Sequence, residues 1–276
     1  MSSNVPAIPL NDGSSLPQIG LGTWQIANDA VPAIIEAAVG AGYRAIDTAA
    51  AYGNEAGVGE GIRRSGLPRA EIKVTTKLWN DSHGRDATLR AFEASLAGLG
   101  LDTVDLYLIH WPVPARGLYV ETWKTLVEIA REGRARSIGV SNFTAEHLER
   151  VIEATGVVPA VNQIELHPHF QQHQLRAFHA AHGIVTQSWS PLGRGRLLDD
   201  PVLEAVARKH GRSTAQVVLR WHVENGLVVI PKSVRAARLD ENMAIFDFAL
   251  DADDMAAIAA LDRTDGRGGP DPATFG

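Results

Sequence analysis

Asp47, Tyr52, Lys77 and His110 are the residues of this chain whose types could move a proton together. A tyrosine hydroxyl ordinarily titrates at about pH 10, too high for an efficient proton donor at neutral pH. An ammonium beside it stabilises the phenolate and lowers that value. A buried lysine would shed its own charge unless a carboxylate were paired with it. The four therefore read as a dependent set: Asp47 holds Lys77, Lys77 tunes Tyr52, and His110 hydrogen-bonds the oxygen that Tyr52 protonates. Such a set suits protonation of a carbonyl oxygen while another group attacks its carbon. Taken singly, each has an ordinary use: the aspartate as a helix cap, the lysine reaching to water, the histidine satisfied in a core. What joins them is the architecture that must position them.

Short apolar runs alternate with helical patterns along the chain. The runs are 18-QIGLGT-23, 44-RAID-47, 72-IKVTTK-77, 104-VDLYLIH-110, 136-RSIGVS-141, 159-PAVNQ-163, 184-IVTQS-188 and 227-LVVI-230. Between them lie segments with apolar spacing near 3.6, such as 88-TLRAFEASLAGL-99 and 145-AEHLERVIEAT-155. Strand and helix in strict alternation mean a parallel sheet. Eight strands with a helix after each predict a (β/α)8 TIM barrel over residues 1–276 as a single domain. Ahead of it, 7-AIPL-10 and 16-LPQI-19 flank Asn11-Asp12-Gly13 and predict a β-hairpin closing the bottom of the barrel. A doubly wound open sheet would place a phosphate-binding glycine loop after its first strand. Here Thr23-Trp24-Gln25 follows instead, and the glycine-rich 57-GVGEG-61 falls inside the second helix.

Barrel chemistry sits at the C-terminal ends of the strands. The second strand ends in Asp47, with Tyr52 in the loop beyond; the third ends in Lys77 and the fourth in His110. The fifth ends in Ser141-Asn142 and the sixth in Asn162-Gln163. An acid, an ammonium and an imidazole on neighbouring strands are thus expected to face one mouth. Trp24, Trp79, Trp111 and Trp189 follow four of the strand ends and would rim that mouth with an apolar pocket.

Composition narrows the setting. The chain has 276 residues, 45% hydrophobic, with a net charge of −6. It has no cysteine, so disulfides, zinc–thiolate sites and cysteine nucleophiles are excluded together. The start, MSSNVPAIPLNDG, lacks a basic patch followed by an apolar core. No apolar run approaches the length of a membrane span, and the mild acidity argues against general nucleic-acid binding. A cytoplasmic protein with no membrane or nucleic-acid partner is expected.

With these residues in place, the chain resembles the aldo-keto reductases. The resemblance rests on 42-GYRAIDTAAAYGNE-55, 74-VTTKLW-79, 104-VDLYLIHWP-112, 136-RSIGVSNF-143, 161-VNQIELHP-168, 189-WSPLGRG-195 and 230-IPKSVRAARLDEN-242, in order along nearly the whole chain. Within that family it looks most like the bacterial 2,5-diketo-D-gluconate reductases, partly because Trp189 stands where many relatives have a tyrosine. The resemblance implies NADPH-dependent reduction of an aldehyde or ketone (a small dicarbonyl, a keto-sugar acid or an aryl aldehyde) by a monomer, with Asp47, Tyr52, Lys77 and His110 as the catalytic tetrad. It places NADPH across the barrel mouth. Ser141, Asn142 and Gln163 would bind the nicotinamide carboxamide and Trp189 would stack on the ring. Gly22, Thr23, Trp24 and Asp47 would lie along the cofactor, and the loop 190-SPLGRG-195, with Ser190, Pro191, Leu192 and Gly193, would wrap the pyrophosphate. Lys232, Ser233 and Arg238 would take the adenosine 2′-phosphate, with Glu241 and Asn242 near the adenine; Val234 belongs to the same cofactor-binding run, and Arg235 would either stack on the adenine or face water. The three cations in 232-KSVRAAR-238 make independent sense opposite a phosphate monoester. Trp24, Tyr52, Trp79, His110 and Trp111 would form the substrate pocket. The tail 266-GRGGPDPATFG-276 would either cover that pocket or move freely.

Two other readings compete. A barrel of this kind could bind the nucleotide and regulate a partner with little turnover, although a sensor has less need of an intact acid. The histidines of 167-HPHFQQH-173 could serve a metal-dependent hydrolase, but no matching acidic ligand accompanies them, and no metal is expected. The run 139-GVSNF-143 fails the GxSxG nucleophile pattern at its fifth residue.

Overall fold

The computed structural model describes residues 5–276; the first four residues, part of the start read above for a leader pattern, lie outside the described residues. Strands β1 (Ala7–Pro9) and β2 (Ser15–Pro17) pair antiparallel with Pro9 opposite Ser15. The turn is longer than Asn11-Asp12-Gly13, because Leu10 leaves the ladder and is buried instead. Leu10 and Leu16 pack against Leu106, Leu108, Val161 and Val228. Ser14 shares a 2.8 Å hydrogen bond with Ser137, and the Asn11 amide donates to the Pro159 carbonyl. The hairpin therefore plugs the end of the barrel opposite the strand C-termini.

Eight parallel strands follow in chain order: β3 (Leu21–Gly22), β4 (Ala45–Asp47), β5 (Lys73–Leu78), β6 (Val104–Ile109), β7 (Ala135–Ser141), β8 (Val161–Glu165), β9 (Val185–Trp189) and β10 (Val228–Val229). The ring closes through a parallel bridge between Ile19 and Val229, with Gly20 N–H donating to the Val229 carbonyl and Val229 N–H to that of Gln18, each at 2.9 Å. Strand β6 is buried along its whole length. That is the pattern of a strand covered by helices outside and by packed side chains within.

The helices are α1 (Val31–Gly40), α2 (Glu55–Arg64), α3 (Arg85–Leu99), α4 (Tyr119–Arg131), α5 (Ala145–Thr155), α6 (His173–His182), α7 (Pro201–His210), α8 (Thr214–Glu224), α9 (Ala236–Met243) and α10 (Ala252–Ala259). Alternation alone predicts one helix after each strand, whereas β9 is followed by α7 and α8, and β10 by α9 and α10. Helices α7 and α10 are tied to one another: Lys209 and His210 meet the carboxylate of Asp254 at 2.8 and 2.7 Å. Starts are set locally, by Asp200 capping α7 ahead of Pro201, and by capping boxes at Thr144 for α5 and Ser213 for α8.

The glycines of 57-GVGEG-61 lie inside α2, as expected. A Cβ on Gly57 would come within 2.1 Å of the Asn28 carbonyl oxygen, and one on Gly59 within 2.0 Å of that of Leu99. They let α2 approach its neighbours at backbone distance, which holds the loop carrying Tyr52 down on the barrel rim.

Candidate active site

The strand ends place the four proton-handling residues together. Asp47 is the last residue of β4, and the chain then turns through Thr48 and Ala49 into a single 3-10 turn, Ala50–Tyr52. This short run of small residues brings the phenol back over the strand it came from. Lys77, on β5 next to β4, is fully buried, and its ammonium donates to Asp47 Oδ1 at 2.5 Å and to the Thr48 carbonyl at 2.8 Å. The same nitrogen lies 3.4 Å from the Tyr52 hydroxyl. The His110 ring stands edge-on to Tyr52 at 5.8 Å and to Trp79 at 5.0 Å between centroids.

Burial lowers the affinity of Lys77 for its proton, but Asp47, followed by Tyr52, more than restores it and holds the ammonium above its ordinary range. Burial pushes the Asp47 carboxyl up, while Lys77 and the Gln163 amide pull it back. The pair is ionised: the ammonium has three oxygen partners, and Asp47 is its one ion-pair partner among the described residues. Tyr52 corrects the expectation from sequence. Lys77 does draw its pKa down, but burial outweighs the ammonium and the net shift is upward. The resting phenol is thus firmly protonated, and the Lys77 ammonium lies where it would stabilise a phenolate at Tyr52. His110 is held well below the usual histidine value by burial and by Lys77, so its imidazole is neutral.

These groups open into a cavity of about 570 Å³. Trp24, Trp79, Trp111, Trp189, Tyr52 and His110 line it. Trp24 is 41% exposed at the rim. Gly22, Asp47, Ser141, Asn142, Gln163, Ser190, Pro191 and Lys232 complete the predicted wall. Thr23 lies behind it, its hydroxyl donating to the Asp47 carbonyl at 3.0 Å. Leu192 and Gly193 belong to the loop after β9 without reaching the cavity. Of the predicted phosphate and adenine group, Lys232, Val234, Arg235 and Arg238 are exposed at and before the start of α9, and the Ser233 hydroxyl accepts the Arg235 N–H. Glu241 is half-buried, whereas Asn242 turns inward to hydrogen-bond Tyr43.

The polar wall is internally wired. Gln163 Nε2 donates to Asp47 Oδ2 at 2.7 Å and to Gln187 Oε1 at 2.8 Å. Asn142, held at φ 62°, donates to the His110 carbonyl and to the Ser141 hydroxyl, both at 3.0 Å. The Trp189 indole N–H donates to Asn142 Oδ1 at 2.8 Å. A bound carboxamide oxygen would therefore have to replace a protein acceptor at Ser141 or Asn142, whereas Gln163 Oε1 has no protein partner among the described residues.

The tail covers the pocket. Gly268 and Gly269 donate their N–H groups to the two Glu165 oxygens at 2.9 Å, Pro270 lines the cavity, and Phe275 packs on Trp111 at 4.6 Å. Sequence reasoning missed Glu165 and Gln187, and of the two outcomes open for the tail the structure shows the covering one. Glu165 and Gln187 were signalled only as polar residues within or just after apolar runs. Arg194, in the loop expected at the pyrophosphate, lines the cavity and lies 5.2 Å over the Trp24 ring. The histidine run does not converge: His169 pairs with Asp200, and exposed His173 approaches Asp262. Among the described residues no group of three or more His, Cys, Asp or Glu could hold a metal ion.

A donor set with this composition fits a nicotinamide dinucleotide phosphate. The strand ends offer amide and hydroxyl groups for a carboxamide, and Lys232, Arg235 and Arg238 have no ion-pair partner among the described residues.

A parallel eight-stranded barrel with an Asp–Lys–Tyr–His cluster at its C-terminal mouth defines a class of carbonyl-handling enzymes. The aldo/keto reductase family model matches residues 18–263, and the chain belongs to that family. It is 54% identical over 271 residues to an aldo-keto reductase of Mycobacterium sp. strain KMS, covering 98% of each chain. It is 51% identical over 276 residues to the methylglyoxal reductase DkgA of Escherichia coli K12, covering 99% of each. A crystal structure of a Gox0644 mutant in complex with NADPH superposes with a TM-score of 0.96 at 56% identity, covering 99% of this chain and 100% of that one. No helix among the described residues is long and apolar enough to cross a membrane.

Proposed function

We propose that this chain is a monomeric, cytoplasmic, single-domain reductase that converts small aldehydes or ketones to alcohols with NADPH. NADPH, when bound, supplies the hydride that adds to the carbonyl carbon. Trp189, Gln163, Asn142 and Ser141 orient the nicotinamide end at the strand termini. Lys232, Arg235 and Arg238 hold the charged far end. Tyr52 donates its proton to the carbonyl oxygen, and the phenolate left behind is stabilised by the Lys77 ammonium, which Asp47 keeps charged. Neutral His110 hydrogen-bonds the same oxygen and sets the face that the carbonyl presents. Trp24, Trp79 and Trp111, with Phe275 behind Trp111, exclude water from the reacting centre.

The observation that carries this reading is one buried ammonium within reach of both a carboxylate and a phenol at the mouth of the cavity. Relatives named as a methylglyoxal reductase and as a morphine 6-dehydrogenase support a carbonyl–alcohol couple while leaving the pocket open to several sizes of substrate. The test is steady-state kinetics with NADPH and with NADH across methylglyoxal, 2,5-diketo-D-gluconate and aryl aldehydes. Saturable oxidation of NADPH by at least one class is expected. Tight NADPH binding with no turnover on any of them would favour the regulatory reading.

A further inference from the structure

We propose that Gln187 is a positioning residue that, together with Asp47, holds the Gln163 amide with its oxygen toward the cofactor. The inference rests on the proposed placement of nicotinamide at the strand ends. Strands β8 and β9 are in register with Gln163 opposite Gln187. Both side chains are buried, and the Gln187 carbonyl oxygen accepts from Gln163 Nε2 at 2.8 Å. The same Gln163 nitrogen donates to Asp47 Oδ2 at 2.7 Å. An amide nitrogen has two hydrogens, so both are spent inside the protein. The side chain is held from two directions by acceptors, one an ionised carboxylate and the other the oxygen of Gln187.

The polarity that results is forced. Turning the Gln163 amide over would set its oxygen against the Asp47 carboxylate, which can only accept, whereas Gln187 takes the second hydrogen and fixes the angle at which the amide stands. In the observed orientation Gln163 Oε1 is left without a protein partner, on a residue that lines the cavity. The site therefore offers an acceptor there, which selects the N–H of a carboxamide and rejects a ligand with a methyl or a bare oxygen in its place. Asp47 alone could hold one N–H, but the second hydrogen would then be free to swing toward the ligand. Gln187 removes that freedom and couples carboxamide recognition to the carboxylate that pairs with Lys77.

The test compares NADP+ with its 3-acetylpyridine analogue, in which a methyl group replaces the carboxamide amine, by tryptophan-fluorescence titration of the wild type, Gln187→Met and Gln187→Glu. Met keeps the length without the acceptor; Glu keeps the acceptor. Wild type is expected to bind NADP+ about tenfold more tightly than the analogue. Gln187→Met should lose most of that preference through weaker NADP+ binding, and Gln187→Glu should keep it. Thermal melting reports whether each variant is folded. Equal affinity of wild type for the two ligands overturns the inference, as does an undiminished preference in folded Gln187→Met. If Gln187→Met does not fold, loss of the preference in Gln187→Glu overturns it and retention supports it. Failure of wild type to bind NADP+ at all would instead sink the functional reading on which the inference stands.

Discussion

The Lys77 ammonium and the Asp47 carboxylate form a fully buried ion pair at 2.5 Å in which each partner is what keeps the other charged. Removing one member strands its partner in the barrel, at a typical cost of about 3–5 kcal/mol. Asp47→Asn and Lys77→Met should each lower the unfolding free energy from urea titration by that order. The double variant should recover part of the loss, because it buries no lone charge. Strictly additive losses in the double-mutant cycle would show that the pair is not coupled.

Tyr52 is held protonated by burial, with Lys77 waiting for the phenolate rather than creating it in the resting enzyme. Tyr52→Phe removes the proton and leaves the ring. Turnover should fall by about 10²–10⁴-fold, while NADPH still quenches tryptophan fluorescence with unchanged affinity. Turnover at the wild-type rate would take the acid role away from Tyr52.

The barrel and the clustering of Asp47, Tyr52, Lys77 and His110 were legible because both depend on short-range facts: strand runs bounded by turns, and polar residues at the ends of those runs. Asp47, Lys77 and His110 could be placed from strand order alone. Other features could not, since they depend on partners distant in sequence. Glu165 looks like one more polar residue until Gly268 and Gly269 arrive, 103 and 104 residues later, to use both its oxygens. Gln187 acquires meaning only from register with Gln163. The direction of the Tyr52 shift is hidden for a related reason: a sequence shows the neighbouring ammonium but not how completely the phenol is buried.

The close approach of α2 turns a propensity argument around. Gly→Ala in an exposed helix interior stabilises by about 1 kcal/mol, yet a Cβ on Gly59 would stand 2.0 Å from the Leu99 carbonyl oxygen. Backbone cannot yield as a flexible side chain does. Gly59→Ala should therefore lose about 1–3 kcal/mol, the usual cost of overpacking, with a lower melting temperature. An unchanged or raised melting temperature would contradict the packing described for α2 and α3.

Three buried histidines make the fold sensitive to acid. Burial is the leading cause in each, and His83, His179 and His222 are all pushed down to about 4 from an ordinary 6.5. The unfolded chain takes up those protons first. Their contribution is fully present above pH 6.5 and drains away as the pH falls toward about 4. Each can contribute a slope of up to about 1.4 kcal/mol per pH unit in that window. Urea unfolding across the same window should show stability falling with pH, and His179→Gln should flatten the slope. A wild-type profile that stays level throughout would refute the assignment.

Arg238 stands exposed on the first turns of α9, beyond Lys232 and without an ion pair among the described residues, in a protein of net charge −6. An unpaired guanidinium in acidic surroundings is best used on a ligand's own anion, and a phosphate monoester can be gripped by two parallel N–H groups. NADPH and NADH differ by that one phosphate. Arg238→Ala should therefore weaken NADPH about tenfold or more, the scale of a hydrogen bond to a charged group, and leave the affinity for NADH within about twofold. Raising the salt concentration should weaken NADPH binding to wild type more than to the variant, since screening acts on the contact that the variant lacks. Equal losses for the two cofactors would mean that Arg238 supports the shape of α9 rather than the 2′-phosphate.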